Sequence, residues 1–136
     1  MIRQLKDLNY EVNMAIEYED HKGWKRTPAQ TDAEQLGNCT DIALLKAASL
    51  QQQVLQGAPI TFWLERCWID NNFLKPHMVV IVEVSTKRWW QSRAHKKTLV
   101  LDCNHHDVAE KKWFDYMWLP GSGNQWSFSE AMEQVK

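Results

Sequence analysis

The stretch LGNCTDIALLK, residues 36–46, predicts a helix whose first turn carries a cysteine. Asn38 is a good N-cap, because its side-chain oxygen can accept a hydrogen bond from a free N–H group of the first turn. Apolar residues then recur at largely helical spacing as far as Leu55, and Gly57 and Pro59 end the pattern. The sequence therefore predicts a helix of about 17 residues that begins directly after Asn38.

The chain changes from helical to strand periodicity after this helix. Residues 60–69 are rich in β-branched and aromatic side chains, and residues 98–103 form a similar run. Residues 77–84 are nearly all apolar, which is typical of a central strand that is buried on both faces. The polar residues 85–97 predict an exposed hairpin connection. Three such strands in succession predict an antiparallel meander.

The segments on either side follow from the same signals. Apolar residues at three- and four-residue steps predict an N-terminal helix as far as Tyr18. Residues 20–35 predict mostly loop, because Pro28 disfavours a helical conformation of the residue before it. Ser127 and Glu130 have the spacing of a capping box and predict a short final helix.

Composition limits the class of protein. A length of 136 residues predicts one domain over 1–136, and helices followed by an antiparallel sheet predict an α+β fold. The net charge of −1 makes a nucleic-acid partner an unfavoured reading, and 44% hydrophobic residues exclude a disordered chain. No apolar run approaches the ~20 residues of a membrane span. Without a secretory signal, and with three cysteines, the expected location is the cytoplasm.

Cys39 is the candidate nucleophile. It falls in the first turn of the predicted helix, where free N–H groups and the helix dipole stabilise a thiolate. Such a position lowers the pKa of a cysteine into the range of ~3.5–7.5. A small buried apolar residue is the competing interpretation of Cys39.

His77 and Asp102 are the candidate partners of this thiol. His77 begins the second predicted strand and Asp102 comes at the end of the third. If Val84 pairs with His95 in an antiparallel hairpin, His77 lies directly opposite Asp102 on the same face. Cross-strand Cβ atoms are then ~5 Å apart, which is close enough for the carboxylate of Asp102 to hold the imidazole ring of His77. The three residues together supply a nucleophile, a base and a group that orients the base.

The chain resembles the bacterial transglutaminase-like cysteine proteinases. Six blocks carry the resemblance in the same order, namely Val12-Asn13 with Ile16 and Tyr18, Trp24 with Thr27-Pro28, residues 36–46, Pro76-His77-Met78-Val79-Val80, Leu99-Val100-Leu101-Asp102-Cys103-Asn104, and Trp118-Leu119-Pro120 with Trp126. The resemblance implies a compact papain-like transglutaminase core, with N-terminal helices packed on an antiparallel sheet. It also implies a triad of Cys39, His77 and Asp102.

The chain departs from this family beside the nucleophile. The best-known members are periplasmic proteases that clip large biofilm adhesins and require calcium, and acidic residues flank their cysteine. Here Asn38 and Thr40 stand in those positions and only Asp41 remains acidic. Because calcium takes six to eight oxygen ligands, the expectation is no cofactor, with Asp41 alone left for a weak calcium site. A minimal version acting inside a cell, such as one encoded by a phage, suits these departures.

The expected activity is hydrolysis of a peptide bond in a protein or peptide substrate through a thioester. The backbone N–H of Cys39 is a candidate donor to the oxyanion, and the second donor is Asn38, Gln35, Gln30 or the indole of Trp24. The same triad also suits a transglutaminase or deamidase acting on protein glutamine. A catalytically degenerate member that only binds a protein is the third hypothesis.

Several further features favour simpler interpretations. His105-His106-Asp107 predicts a polar turn rather than a metal site, because no second ligand pair accompanies it. Strand alternation predicts that Cys103 points away from Asp102, and both Cys67 and Cys103 are expected to pack in the core. Four tryptophans are also expected in the core: Trp63, Trp68, Trp113 and Trp118. The segment around Trp89-Trp90 predicts a solvated loop more than a site for an acidic partner or nucleic acid, although it contains Lys87, Arg88, Arg93, Lys96 and Lys97.

Overall fold

The computed structural model describes residues 1–86 and 95–135 as four helices and eight strands. The helices are α1 (Ile2–Ala15), α2 (Pro28–Glu34), α3 (Cys39–Leu55) and α4 (Phe128–Gln134). The strands are β1 (Glu17–Tyr18), β2 (Leu36–Gly37), β3 (Ile60–Ile69), β4 (Pro76–Thr86), β5 (His95–Leu101), β6 (Ala109–Glu110), β7 (Tyr116–Met117) and β8 (Gln125–Trp126). None of the helices in these ranges is long and apolar enough to cross a membrane.

The main sheet is antiparallel and has the order β6-β5-β4-β3-β7, with β8 also paired to β3. Consecutive strands β3 to β6 form the predicted meander, and β7 returns to the far side of β3. The short strands β1 and β2 pair in parallel beside the start of α3. The predicted α+β class is confirmed, with helices packed on an antiparallel sheet.

Strand β4 is buried on both faces, as its apolar sequence predicts. Alternate residues from Met78 to Val84 pack with Ala43, Leu44, Ala47 and Leu50 of α3. The intervening residues Val79 and Ile81 belong to a second cluster on the other face. Its members are Cys67, Val79, Ile81 and Val100, covered by Trp63, Phe114, Tyr116 and Trp118. Burial of such side chains contributes ~1.5–3 kcal/mol each, which makes this strand the centre of the fold.

Helix α3 has the predicted bounds, and a reciprocal capping box between Asn38 and Asp41 closes its N-terminus. The Asn38 side chain accepts a hydrogen bond from Asp41 N–H at 2.8 Å, and an Asp41 oxygen accepts one from Asn38 N–H at 3.3 Å. Gly37 precedes this cap and lies against the helix. A Cβ atom at Gly37 would stand 2.8 Å from Asp41 Cβ and 3.2 Å from Thr31 Cγ2. Only glycine therefore fits between α2 and α3 without displacing one of them.

The prediction of loop for residues 20–35 is wrong over α2. Thr27 caps this helix, Pro28 is its first residue, and Gln30 completes a capping box with Thr27. Proline is well suited to the first position of a helix, because the N–H that it lacks has no partner there. The same Thr27-Pro28 pair that opposes helix before Pro28 therefore begins one after it. Residues 108–118, with a mixed pattern, form β6, a 3₁₀ turn (Lys111–Trp113) and β7.

The structure revises the prediction that Trp113 lies in the core and the prediction that Lys96 and Lys97 lie in a loop. Trp113 is 73% exposed, although Trp68 is buried and Trp63 and Trp118 pack on the second cluster. Its position in the 3₁₀ turn outside the sheet explains this exposure. Lys96 and Lys97 belong to β5 and are exposed, whereas Trp89-Trp90, Lys87, Arg88 and Arg93 lie outside the described residues.

Candidate active site

His77 and Asp102 form a buried pair at the end of the sheet where β4 begins. Their side chains are 4% and 0% exposed, and His77 Nε2 lies 2.6 Å from Asp102 Oδ1. The observed register differs from the expected one, because Val84 pairs with Lys97 rather than with His95. A shift of two residues keeps every side chain on its face, so Asp102 remains a diagonal neighbour of His77. The contact between His77 and Asp102 was therefore predicted correctly, although the predicted register was two residues away from the observed one.

The Asp102 carboxylate has several further partners. Tyr116 donates its hydroxyl to Oδ2, and the Asn104 N–H donates to Oδ1 at 2.9 Å. Burial by itself would raise the pKa of Asp102, but His77, Asn104 and Tyr116 together hold that pKa below its ordinary value. Burial and the hydrogen bond to Asp102 raise the pKa of Tyr116. Asp102 is therefore a permanent negative charge beside His77 at neutral pH.

Cys39 is the first residue of α3 and is half-buried. Burial by itself would raise the pKa of its thiol, but the hydrogen bond and charge of His77 lower it overall, with help from Met78 N–H and the Thr40 hydroxyl. Burial alone would lower the pKa of His77, yet Asp102 and Cys39 raise it to about 9. A thiolate beside an imidazolium is the protonation state that these opposite shifts favour at neutral pH.

The other two cysteines have the opposite electrostatics. Burial and the charges of Asp102, Glu65 and Cys39 raise the pKa of Cys67, and burial with the charges of Asp102 and Cys39 raises that of Cys103 to about 12. Cys67 is buried in the second cluster, as predicted. Cys103 is half-buried, and the prediction that it points away from Asp102 is wrong. Its Sγ shares a cluster with ligand atoms of His77 and Asp102, all within 4.8 Å of one another. Strand alternation ends with β5 at Leu101, so it sets no direction at Cys103.

A cleft of about 580 Å³ opens over Cys39 and His77. One wall is the 20–24 segment with Trp24, and the other is the turn between β3 and β4 with Phe73. Three cationic side chains line it as well: Lys22, Arg66 and Lys75. Arg66 stacks over the Trp126 ring at 5.1 Å, and Trp126 meets Trp24 edge to face at 5.5 Å between centroids. The cleft is therefore bounded by aromatic groups whose positions are fixed by packing.

The four oxyanion candidates differ in their placement. Gln30 and Gln35 are not among the described residues that line the cleft, because Gln30 completes the α2 cap and Gln35 turns back to the carbonyl of Asp32. Asn38 lines the cleft, but its amide N–H groups donate to the carbonyls of His21 at 3.0 Å and Gly23 at 3.1 Å. Trp24 lines the cleft as well. The side chains of Gln30 and Gln35 are therefore engaged at the ends of α2 rather than in the cleft, and the Asn38 amide holds the 21–23 segment.

The loop that carries Asp102 is attached to α1, a role that the sequence did not suggest. Asn13 donates to the carbonyl of Asp102 at 2.8 Å, and Asn9 donates to the carbonyls of His105 and His106 at 2.7 and 3.0 Å. The oxygen of Asn9 accepts a hydrogen bond from the buried Lys46 at 2.7 Å. Burial lowers the pKa of Lys46 to about 8. The sequence signal for this attachment was the pair Asn9 and Asn13, four residues apart on the otherwise apolar side of α1.

His105-His106-Asp107 forms a polar turn, as the simpler interpretation predicted. His105 Nε2 lies 3.1 Å from the Tyr116 hydroxyl, and His106 packs edge to face on Tyr10. Among the described residues, the cluster with suitable spacing for a metal ion is instead His77, Asp102 and Cys103. His77 and Asp102 already satisfy each other there, so their hydrogen bond accounts for the proximity.

Three solved structures of Legionella pneumophila LapG resemble this chain. The calcium-bound form has a TM-score of 0.61 at 19% sequence identity and covers 92% of this chain and 67% of that chain. A second structure has a TM-score of 0.60 with the same identity and coverage, and the EGTA-treated form has 0.61 over 92% and 66%. No protein-family model and no curated protein matches the sequence. The fold is the transglutaminase-like fold of LapG.

The calcium-bound relative raises the question of whether this chain could hold the ion. Asp41, the remaining acidic residue beside Cys39, is 1% exposed and accepts hydrogen bonds from His21, Arg26 and Asn38. The Arg26 guanidinium already occupies the space between Asp41 and its acidic neighbours. The described residues here therefore do not fit a calcium ion, which needs free oxygen ligands.

Proposed function

We propose that this chain is a cysteine peptidase in which Cys39 is the nucleophile, His77 the general base and acid, and Asp102 the group that orients His77. The observation that carries the proposal is the buried His77–Asp102 pair, with 2.6 Å between Nε2 and Oδ1, next to a half-buried thiol of lowered pKa. The LapG-like fold supports the same class of activity. A buried carboxylate that fixes an imidazole beside a nucleophile is the arrangement used for acyl transfer.

The reaction begins from the thiolate of Cys39 and the imidazolium of His77. The thiolate attacks the carbonyl carbon of the scissile bond, and a tetrahedral oxyanion forms. The C–N bond then breaks, His77 gives its proton to the leaving amine, and a thioester of Cys39 remains. Water attacks the thioester while His77 takes a proton from it, which releases the carboxylic acid and restores the ion pair. Asp102 remains ionised throughout, because its pKa lies below the ordinary range.

The oxyanion needs hydrogen-bond donors in the cleft. We assign the first role to the backbone N–H of Cys39, which belongs to the first turn of α3 and has no partner within the helix. We assign the second role to the indole N–H of Trp24, the remaining candidate, which lines the cleft. Two donors of this kind act on charge that develops only in the transition state, so loss of one costs about 10²-fold in rate.

The substrate is a protein or peptide segment in an extended conformation. Cys39, Trp24 and Phe73 all line the cleft, and its volume of about 580 Å³ leaves room for several residues of a polypeptide. Phe73 and Leu74 are 63% and 88% exposed at the turn between β3 and β4. Apolar side chains at such an edge suit contact with a polypeptide.

Cleavage of a proteome-derived peptide library tests the proposal directly. The purified chain and the variant Cys39→Ser are incubated with the library, and new N-termini are identified by mass spectrometry. We expect new termini with the wild type and none above background with the variant, when both melt at similar temperatures. Cys67→Ala is the matched control, because it removes a buried thiol whose raised pKa makes it a poor nucleophile. Equal cleavage by wild type and Cys39→Ser would contradict the assignment.

A further inference from the structure

Arg26 is a buried cation at the centre of an acidic cluster near the start of α3. Its side chain is 9% exposed and contacts three carboxylates, those of Glu19, Glu34 and Asp41. One terminal nitrogen lies 2.9 Å from Glu19 Oε2, the other lies 3.4 Å from Asp41 Oδ2, and Nε donates to Glu34. A guanidinium suits this position, because its planar fork presents several donors to separate acceptors at once.

Asp41 connects this cation to the helix that carries Cys39. Its Oδ1 accepts a hydrogen bond from the Arg26 backbone N–H at 3.1 Å, and its Oδ2 lies 2.8 Å from His21 Nε2. The same Oδ2 accepts the Asn38 N–H in the capping box of α3. Both oxygens of Asp41 are thus engaged by groups of the chain itself. A carboxylate with 1% exposure needs such compensation, since an unpaired buried charge is costly.

A calcium ion has no comparable set of ligands in this place. It takes six to eight oxygens at ~2.3–2.6 Å, with carboxylates supplying the charge. The position before Cys39 is Asn38, whose oxygen is committed to Asp41 N–H at 2.8 Å, and the position after it is the neutral Thr40. The carboxylates of Glu19 and Asp41 face the guanidinium instead. The hydrogen bond from Arg26 also holds the pKa of Glu19 at about 2, which indicates a satisfied charge.

We propose that Arg26 takes the charge-neutralising place of a divalent cation at the start of α3, so that this chain folds and holds its nucleophile-bearing helix without calcium. The proposal concerns the cation that organises the helix start, and it stands whether or not the chain cleaves peptides. It separates this chain from the calcium-bound LapG structure that shares its fold.

Thermal melting and calorimetry with calcium chloride test this proposal. The full chain is melted at neutral pH in millimolar calcium chloride and in millimolar EGTA, and calcium chloride is titrated into it by isothermal calorimetry. Three variants are melted alongside: Arg26→Gln, Arg26→Lys and Lys25→Gln. Lys25 is the matched control, because it is an exposed cation that contacts the same Glu19 at 2.7 Å.

We expect the wild type to melt within about 1 °C in calcium and in EGTA, with no binding heat. Arg26→Gln should melt about 5–10 °C lower, and Lys25→Gln within about 2 °C of the wild type. If Arg26→Gln does not fold, Arg26→Lys should still do so with a lowered melting temperature and no response to calcium. A calcium-dependent rise in the wild-type melting temperature with measurable binding would overturn the proposal, as would equal melting of Arg26→Gln and Lys25→Gln.

Discussion

Replacing Asp102 by asparagine is the most informative change at the proposed site, because it removes one charge and preserves shape. Burial alone would lower the pKa of His77, and the hydrogen bonds and charges of Asp102 and Cys39 raise it to about 9 from an ordinary 6.5, with the hydrogen bond to Asp102 as the largest raising cause. That difference corresponds to a factor of roughly 300 in favour of the imidazolium, or ~3 kcal/mol. In Asp102→Asn most of this factor is lost, and with it the charge that holds Cys39 as a thiolate.

The assay is the rate at which Cys39 reacts with iodoacetamide at neutral pH, measured by mass spectrometry of the labelled peptide. We expect Asp102→Asn to react about 30- to 300-fold more slowly than the wild type, because the alkylating reagent attacks the thiolate. Asp107→Asn is the matched control, since it neutralises an exposed carboxylate in the same turn. An Asp102→Asn protein that melts normally and reacts at the wild-type rate would refute the reasoning.

The same variant also makes a prediction about stability. Because the folded-state pKa of His77 is raised, its contribution is fully present below the unfolded value near 6.5 and is lost as the pH rises through about 9. We therefore expect the wild-type free energy of unfolding to fall as the pH rises from about 6.5 to about 9. The decline attributable to His77 should be much smaller in Asp102→Asn, which urea unfolding at a series of pH values measures.

Three further changes test the surroundings of the site. Tyr116→Phe removes a donor to Asp102 Oδ2 and should slow peptide cleavage by about tenfold with little change in fold, as steady-state kinetics would reveal. Gly37→Ala should lower the free energy of unfolding by about 1–3 kcal/mol, because its Cβ would meet Asp41 at 2.8 Å, whereas Gly123→Ala, with no atom within 4 Å, should cost far less in urea unfolding. Because burial lowers the pKa of Lys46 from 10.5 to about 8, the loss of its buried charge should make the wild type more stable as the pH rises from about 8 towards 10.5. Lys46→Met should lack this gain in the free energy of unfolding. A Lys46→Met curve with the wild-type slope in that range would contradict this assignment.

The sequence predicted best where local signals and burial agree. Asn38, the apolar run after Cys39 and Gly57 determined α3 within a residue, because capping and periodicity act over a few positions. The contact of His77 with Asp102 was also predicted, although the assumed register was two residues away from the observed one. It survived because a shift of two residues leaves both side chains on one face.

The sequence predicted poorly where a side chain's partner lies far along the chain. Cys103 was placed by strand alternation, which fails once β5 ends at Leu101. Gln30 and Gln35 were plausible donors from their nearness to Cys39 in sequence, but α2 turns them elsewhere. The hydrogen bond from Lys46 to Asn9 joins residues 37 positions apart, and no local pattern specifies such a pairing.

We infer that Cys39 exists as a thiolate because of His77. The direct measurement is the pH dependence of iodoacetamide labelling at all three cysteines, in the wild type and in His77→Ala. Cys67 and Cys103 serve as internal controls, since burial and nearby negative charge raise their pKa values. We expect Cys39 to label far faster than both at neutral pH, and His77→Ala to move the labelling curve of Cys39 to higher pH. Slow labelling of Cys39 that is indifferent to His77 would contradict this inference.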